Sequence, residues 1–379
     1  MRILLVGEFS RLHNSLKEGL VKLGHEVTII SSGDGMKKFA TDIDISSFIA
    51  KHTLLKRTNS LFIRFLNIDF IKYEHAYKFK KRIPELKGFD IIQLINEDFI
   101  FAKPKTEIQL LKKLISQNNK FFLLCCGEDY TTINYYLNTP ENYSIITPYL
   151  KNKSLKKRYT YSLKYITKPY KELHDFIAKK SKGVIATDID YHIPMLKEHN
   201  YLGMIPNPVN IDTIKYKPIE IGEKINIFHG INSHSNIKKG SIFIKEALKI
   251  IKEKYPDKVS IKITQDLPYT EYIKIYDDAH ILIDQVYGYD QGYNALEAMA
   301  KGKVVFTGAE KEWLEYYNLK EDTVAINALP DANQIVDKLE WLILNPEKLI
   351  EISKNARHFI EKEHSYKSIA QKYVEFWKG

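Results

Sequence analysis

The sequence predicts an α/β fold of two doubly wound parallel-sheet (Rossmann-like) units facing a central cleft. Three observations predict it. Apolar runs of strand length alternate with amphipathic helical stretches from the first residue onward, a pattern that means a parallel sheet covered on both faces. The alternation breaks at "MIPNPVNIDTIKYKP" (204–218), where three prolines stand among polar residues, and then restarts. At 379 residues the chain is also too long for one ordinary core and suits two. The expected division is 1–203 for a first unit, 204–220 for a linker, 221–355 for a second unit, and 356–379 for a closing helix that crosses back to the first. Ligands of such sheets bind at the carboxyl ends of the strands.

The elements follow in order. "RILLVG" is a strand, and "SLKEGLVKLG" is a helix with Leu16, Leu20 and Leu23 at helical spacing, closed by Gly24. "EVTIIS", "DIIQLI" (90–95), "KFFLLCC" (120–126) and "GVIATD" (183–188) are further strands, with the amphipathic "EIQLLKKLISQ" between the second and third of these. After the break come strand "KINIFHG", helix "SIFIKEALKIIKEKY", strand "VSIKIT", helix "TEYIKIYDDA" and strand "ILIDQ". A short helix around Glu297 leads into strand "KVVFTG", and the remaining sequence reads as helices.

Composition narrows the class. Hydrophobic residues make up 44% and charged residues 27%, which excludes a disordered chain and fits a soluble one. No apolar run approaches the roughly 20 residues of a membrane span. "MRILLVG" turns polar too soon for a secretory signal and reads as a buried strand. Cys125 and Cys126 are adjacent in an apolar run, so no disulfide framework is expected and a reducing cytoplasm is. Charge is uneven: residues 1–200 hold 33 Lys+Arg against 21 Asp+Glu, and the remainder holds 24 against 26. The excess gathers in 54–83 and in 151–171, the latter without an acidic residue. A basic half suggests an anionic partner, or simply a solvated lysine-rich face. In 151–171, basic residues interleaved with Leu, Tyr and Ile suit an interfacial helix on an anionic membrane surface better than nucleic acid.

The chemistry concentrates in "DQGYNALEAMAKGK" (290–303). It follows a strand through a short loop, so Gly292 lies near a helix N-terminus, whose free N–H groups attract an anion such as a diphosphate. Glu297 lies about one turn further in, on the face of Tyr293 and Asn294. A carboxylate there accepts two hydrogen bonds from a vicinal diol, which a ribose offers. Together these point to a nucleoside diphosphate; the plain alternative is a half-exposed glutamate near a favourable helix dipole. Among other motifs, "DID" (42–44 and 188–190) is weighed as a metal-binding pair and set aside as chance, and no His/Cys/Asp cluster has metal-ligand spacing.

"YDQGYNALEAMAKGKVVFTG" resembles the nucleotide-sugar site of family-4-type glycosyltransferases of the GT-B fold, in the group-1 glycosyl transferase superfamily. "IPNPVNIDTIKYKP" resembles their interdomain linker, "IFHGINSHSNIKKGSIFIKEAL" their strand, loop and Lys-Gly helix start, and "GHEVTIISSGDG" their second strand region. The resemblance implies that Glu297 holds the ribose and that Lys239, with Lys238 beside it, faces the donor diphosphate. A departing phosphate needs such a cation where no metal supplies one. His229, Ser233 and His234 share that segment, and Asp290, Gly292, Tyr293 and Asn294 share the helix start; all are donor-binding candidates. Gly7 is similar to the family's glycine that admits the donor phosphates, and "GEFSRLHNSL" then sets Glu8, Ser10 and His13 on the acceptor side of the cleft.

Three positions depart from the family pattern. Tyr289 stands where an earlier glutamate is usual, with Asp290 one residue away; His234 stands at an arginine position. Cys126 stands at a histidine position in "CGEDY", leaving Glu128 and Asp129 as candidates to meet the acceptor hydroxyl, or Asp129 as a simple helix cap. The resemblance implies a retaining transfer with no metal or other cofactor, from a nucleotide-diphospho-sugar donor to a glycan or lipid-linked glycan. Capsule, lipopolysaccharide or exopolysaccharide synthesis at the inner face of the cytoplasmic membrane would suit it. A nucleotide-sugar epimerase of the same build and a catalytically silent glycan-binding protein are the alternatives; a nucleic-acid partner is not expected.

Overall fold

The structure is a computed structural model that describes residues 1–33 and 39–379. The end of the "GHEVTIISSGDG" segment, Asp34 and Gly35, lies outside the described residues. A first sheet contains seven strands: β1 (Arg2–Val6), β2 (Glu26–Ser31), β3 (Ile43–Asp44), β4 (Ile91–Leu94), β5 (Lys120–Cys125), β6 (Val184–Ala186) and β7 (Tyr201–Met204). A second contains five: β8 (Ile225–Ile231), β9 (Val259–Gln265), β10 (Ile281–Ile283), β11 (Val304–Thr307) and β12 (Ile326–Asn327). Every pairing is parallel, in the orders β3-β2-β1-β4-β5-β6-β7 and β12-β11-β10-β8-β9. Strand order therefore reverses between β1 and β4 in the first sheet and between β8 and β10 in the second, and those crevices are where such sheets take ligands.

The strands are apolar throughout because both faces are covered. Along β1, Leu4 and Val6 enter one core while Ile3 and Leu5 enter another, on the opposite side of the pleat. The second of these cores is closed by helix α1 (Leu12–Lys22) and by the chain's last helix, Tyr366–Lys378. The two helices approach closely at Gly19, where a Cβ would lie 2.3 Å from the Tyr366 carbonyl oxygen. That last helix comes from the far end of the chain and is pinned at its other end, where the Trp377 indole donates to Gln93 at 3.2 Å. Another core runs between the two sheets, joining Tyr136, Ile189 and Met204 to Tyr289, Leu296 and Trp313.

Three features differ from the sequence reading. Strands β3, β7 and β12, two to four residues long, are not among the strands read from the sequence. The basic stretch 54–83 is mostly two helices, which with a preceding turn of helix form α2 (Phe48–Lys51), α3 (Thr53–Leu66) and α4 (Phe70–Arg82). The stretch 151–171 is not an interfacial helix: it breaks into a 3-10 segment (Lys153–Tyr159), a four-residue helix (Thr160–Leu163) and the start of a longer one. Its Tyr159, Tyr165 and Tyr170 are buried in the core between the sheets, and of its tyrosines Tyr161 is the most exposed.

Candidate nucleotide-sugar site

The second sheet builds the donor side. From β8 the chain loops back over the sheet to Lys239 and Gly240 and enters helix Ser241–Lys254. Gly240 has φ +66°, and a Cβ on it would lie 2.2 Å from Val286, so glycine is what lets this loop press against the end of β10. The approach puts the Lys239 ammonium 2.8 Å from Oδ1 of Asp284, the residue after β10. Burial raises the Asp284 carboxyl, but Lys239 and the Asn294 amide, 3.1 Å from the same oxygen, outweigh it and hold the group below its usual range. Asp284 Oδ2 is buried without a protein partner. It lies 3.9 Å from the position of a Cβ on Gly292, the N-cap of helix Tyr293–Ala300, a cap made without a side chain.

Thus Lys239, a buried carboxylate and an uncapped helix start meet at the second sheet's reversal point. Glu297 lies one turn along that helix from Asn294, half-buried, its charge felt by the Tyr276 and Tyr293 phenols. His229 is buried beside Asp284; its Nδ1 donates to the Ile283 carbonyl at 2.8 Å, and burial lowers its pKa to about 4. It is therefore a neutral imidazole whose Nε2 has no protein partner. Ser233 and His234 form the turn above: Asp266 accepts from the Ser233 N–H at 2.9 Å, Asn232 accepts from the His234 N–H at 2.9 Å, and His234 is exposed.

The first sheet supplies the facing side. Gly7 follows β1 with φ +89°, and a Cβ there would strike Ile95 at 2.2 Å. Its carbonyl accepts from His13 Nδ1 at 2.7 Å. His13 is fully buried with its pKa lowered to about 4, so it braces the Gly7 loop rather than meeting an acceptor. Glu8 accepts from the Asn14 N–H at 2.9 Å and is also buried, while Ser10 and Arg11 turn the chain with positive φ into α1.

Glu128 crosses the gap: its carboxylate pairs with the ammonium of Lys238, both side chains largely sheltered from solvent. The neighbouring Asp129 is a helix cap. Its Oδ1 accepts from the Thr132 N–H at 2.7 Å and its Oδ2 from the Cys125 thiol at 2.6 Å, and the side chain is buried away from the cleft surface where an acceptor would lie. Burial, then the charge of Glu97, raises its pKa to about 6.

Two donor-side candidates serve instead to join the halves. Asp290 is buried and accepts from the N–H groups of Ile189, at 3.0 Å, and Gln291, so it pins the end of β6 rather than replacing the missing glutamate. The Tyr293 hydroxyl meets Ser15 Oγ at 2.6 Å and donates to the Pro208 carbonyl at 2.9 Å, tying its helix to α1 and the linker. Tyr289, at the departed glutamate position, stacks on Tyr143 with ring centroids 5.4 Å apart. Sequence reasoning missed Asp284, although a carboxylate closing the apolar run "ILID" at the carboxyl end of a strand was a usable signal. The second "DID", set aside above as a metal-binding pair, supplies Asp188 and Asp190, whose carboxylates gather with Asp290 between the halves: Asp190 accepts from the Tyr289 N–H at 3.1 Å.

Residues 234–375 match a family described as glycosyl transferase-like. No curated protein matches the chain in sequence. Among solved structures, sucrose-phosphate synthase from Thermosynechococcus elongatus superposes with a TM-score of 0.62 at 13% identity, covering 100% of this chain and 98% of that one. HepE from Anabaena, solved in complex with UDP and glucose, gives 0.56 at 11% identity over 100% and 99%. A Listeria monocytogenes protein described as a UDP-N-acetylglucosamine 2-epimerase gives 0.55 at 12% identity over 100% and 95%. The matched segment takes in the Lys239 loop and the Glu297 helix and is glycosyl transferase-like, and the two parallel sheets share the GT-B fold of these neighbours.

Proposed function

We propose that the protein moves a sugar from a nucleoside-diphosphate sugar, held where β8 and β10 end, to a hydroxyl of a glycan or lipid-linked glycan lying against the first sheet. The observation that carries this reading is the meeting of Lys239, Asp284 and the uncapped helix start one turn from Glu297. A diphosphate suits this arrangement because the ammonium and the helix N–H groups both favour negative charge. Glu297 takes the ribose diol. As the bond from anomeric carbon to phosphate oxygen breaks, charge grows on the phosphate, and Lys239 and Lys238 neutralise it. Both lysines are already paired, with Asp284 and Glu128, so the donor draws them from those carboxylates. Release of Lys238 leaves Glu128 to orient the acceptor hydroxyl, whose oxygen bonds to the anomeric carbon while its proton passes to the departing phosphate oxygen.

The neighbour solved with UDP and glucose supports a UDP-sugar as the first donor to try. We take the transfer to be retaining and to need no metal, and the acceptor to be a growing lipid-linked glycan of capsule, lipopolysaccharide or exopolysaccharide. The fold is shared with a protein described as an epimerase, so incubation with donor alone is the control: an epimerase changes the sugar without an acceptor.

Thermal shift across UDP, GDP, CDP, ADP and their sugars tests the site. A ligand at about a hundredfold excess over its dissociation constant should stabilise by roughly 2.7 kcal/mol. Glu297→Ala is expected to weaken that ligand at least about tenfold, since two hydrogen bonds to a charged group are lost. A Glu297→Ala variant that binds every nucleotide like the parent contradicts the assignment.

A further inference from the structure

Half of the large apolar side chains exposed among the described residues fall within thirty residues, Phe48 to Tyr77. Most of them lie on α3, whose only buried residue is Asn59. Leu54, Leu61 and Phe65 are 76%, 53% and 73% exposed, and their spacing of seven and then four residues puts them on one stripe of the helix. Arg57 and Arg64, also seven apart, run beside that stripe. An amphipathic surface helix ordinarily turns its apolar stripe to the core; here the stripe faces outward.

The lobe is built to hold that face. Asn59 donates to Asp69 at 3.0 Å and accepts from the Phe70 N–H at 2.8 Å, which clamps α3 to α4. Glu74 of α4 accepts from Ser47 Oγ at 2.6 Å and from the Phe48 N–H at 2.8 Å, which fixes the start of α2. Residues 45–83 contain nine Lys or Arg and only two acidic residues, and those two are Asp69 and Glu74, both spent on these internal bonds. The outward charge is therefore positive.

We propose that the outward stripe of α3 docks the protein on an anionic lipid surface, with Leu54, Leu61 and Phe65 entering the headgroup boundary and Arg57 and Arg64 meeting the lipid charges. Charge decides between occupants: a second copy would bring an equally basic lobe and be repelled, whereas an anionic bilayer complements both the apolar stripe and the arginines. The lobe also stands at the acceptor side. Tyr73 of α4 accepts from Lys103 at 3.0 Å, at the end of the loop after β4. In that loop the Asn96 amide donates to the Glu128 carbonyl at 3.2 Å. A docked lobe thus sets the rim of the first sheet, with Glu128, toward the bilayer. This deepens the lipid-linked part of the proposed function and rests on it.

The test is cosedimentation with phosphatidylcholine vesicles, with and without about one third phosphatidylglycerol. The parent is expected to bind the anionic vesicles and to bind the neutral ones at least about tenfold more weakly. The combined variant Leu54→Ser, Leu61→Ser, Phe65→Ser should lose at least about tenfold in affinity for the anionic vesicles. So should Arg57→Glu with Arg64→Glu, and both variants should keep the parent's unfolding temperature and nucleotide shift. A parent that ignores anionic vesicles, or either variant binding them as the parent does, overturns the proposal. So does a parent dimer that the serine variant dissolves without any vesicle binding, which would give the face to a second copy. The nucleotide shift is read separately, so failure of the donor assignment shows as a missing shift whatever the vesicles do.

Discussion

In the proposed transfer Glu128 is the residue on which donor and acceptor chemistry meet. Its pairing with Lys238 across the cleft competes with a bound diphosphate for the same ammonium. Glu128→Gln removes the competing charge, so nucleoside diphosphate should bind about threefold tighter or more, a gain near 0.7 kcal/mol, while transfer to acceptor falls. Calorimetric titration and a transfer assay check the two halves; weaker nucleotide binding would make the pair a scaffold only. Which residues could be read from sequence at this scale follows from how far their partners lie along the chain. Glu297, Gly292 and Lys239 stand in local patterns of strand, loop and helix start, and were legible. Asp290 and Tyr293 sit in the same pattern, yet their partners are Ile189 and Ser15, which no local spacing reveals. Asp129 was open to two readings, and its Thr132 bond, three residues on, selects the cap.

At the scale of elements, the long parallel strands were legible because burial on both faces leaves continuous apolar runs. Strands β3, β7 and β12 were not, because their pairing depends on neighbours already in place. The contact of α1 with the last helix depends on Gly19. Alanine is the better helix former by about 1 kcal/mol, so Gly19→Ala would stabilise an isolated helix. Here its Cβ meets a backbone oxygen, and the variant is expected to lose about 1–3 kcal/mol in urea unfolding. A gain in stability would show that the two helices do not pack as described.

For the whole molecule, the two halves are joined partly through like charges. Asp290 is buried with Asp188 and Asp190 half-buried beside it, and among the described residues no lysine or arginine pairs with any of the three. Burial, joined by mutual repulsion, raises Asp188 well above its usual value; burial raises Asp190 to about 7 and Asp290 to about 6. An acid whose folded pKa is raised binds more protons folded than unfolded, so its contribution to stability is present at low pH and is lost as pH climbs from about 4 through about 7. Asp188→Asn removes the charge while its amide oxygen still accepts from the Tyr191 N–H and its amide nitrogen donates to Thr187 Oγ1, which itself donates to the Cys125 carbonyl. Relative to the parent its unfolding temperature should rise by about 2 °C or more at pH 8 and change little at pH 5; an equal effect at both would contradict the charge account. Among the described residues no helix is long and apolar enough to cross a membrane.

The central claim is that one nucleoside-diphosphate sugar takes Lys239 from Asp284 and gives its ribose to Glu297. A crystal structure with the nucleotide chosen by the thermal screen tests it most directly. The account predicts phosphate oxygens within hydrogen-bond distance of Lys239 and of the N–H groups at Tyr293 and Asn294, with both ribose hydroxyls on the Glu297 carboxylate. A nucleotide lodged elsewhere, such as in the groove of about 580 Å³ lined by Lys17, Thr41 and Asn210, with Lys239 still on Asp284, would contradict it.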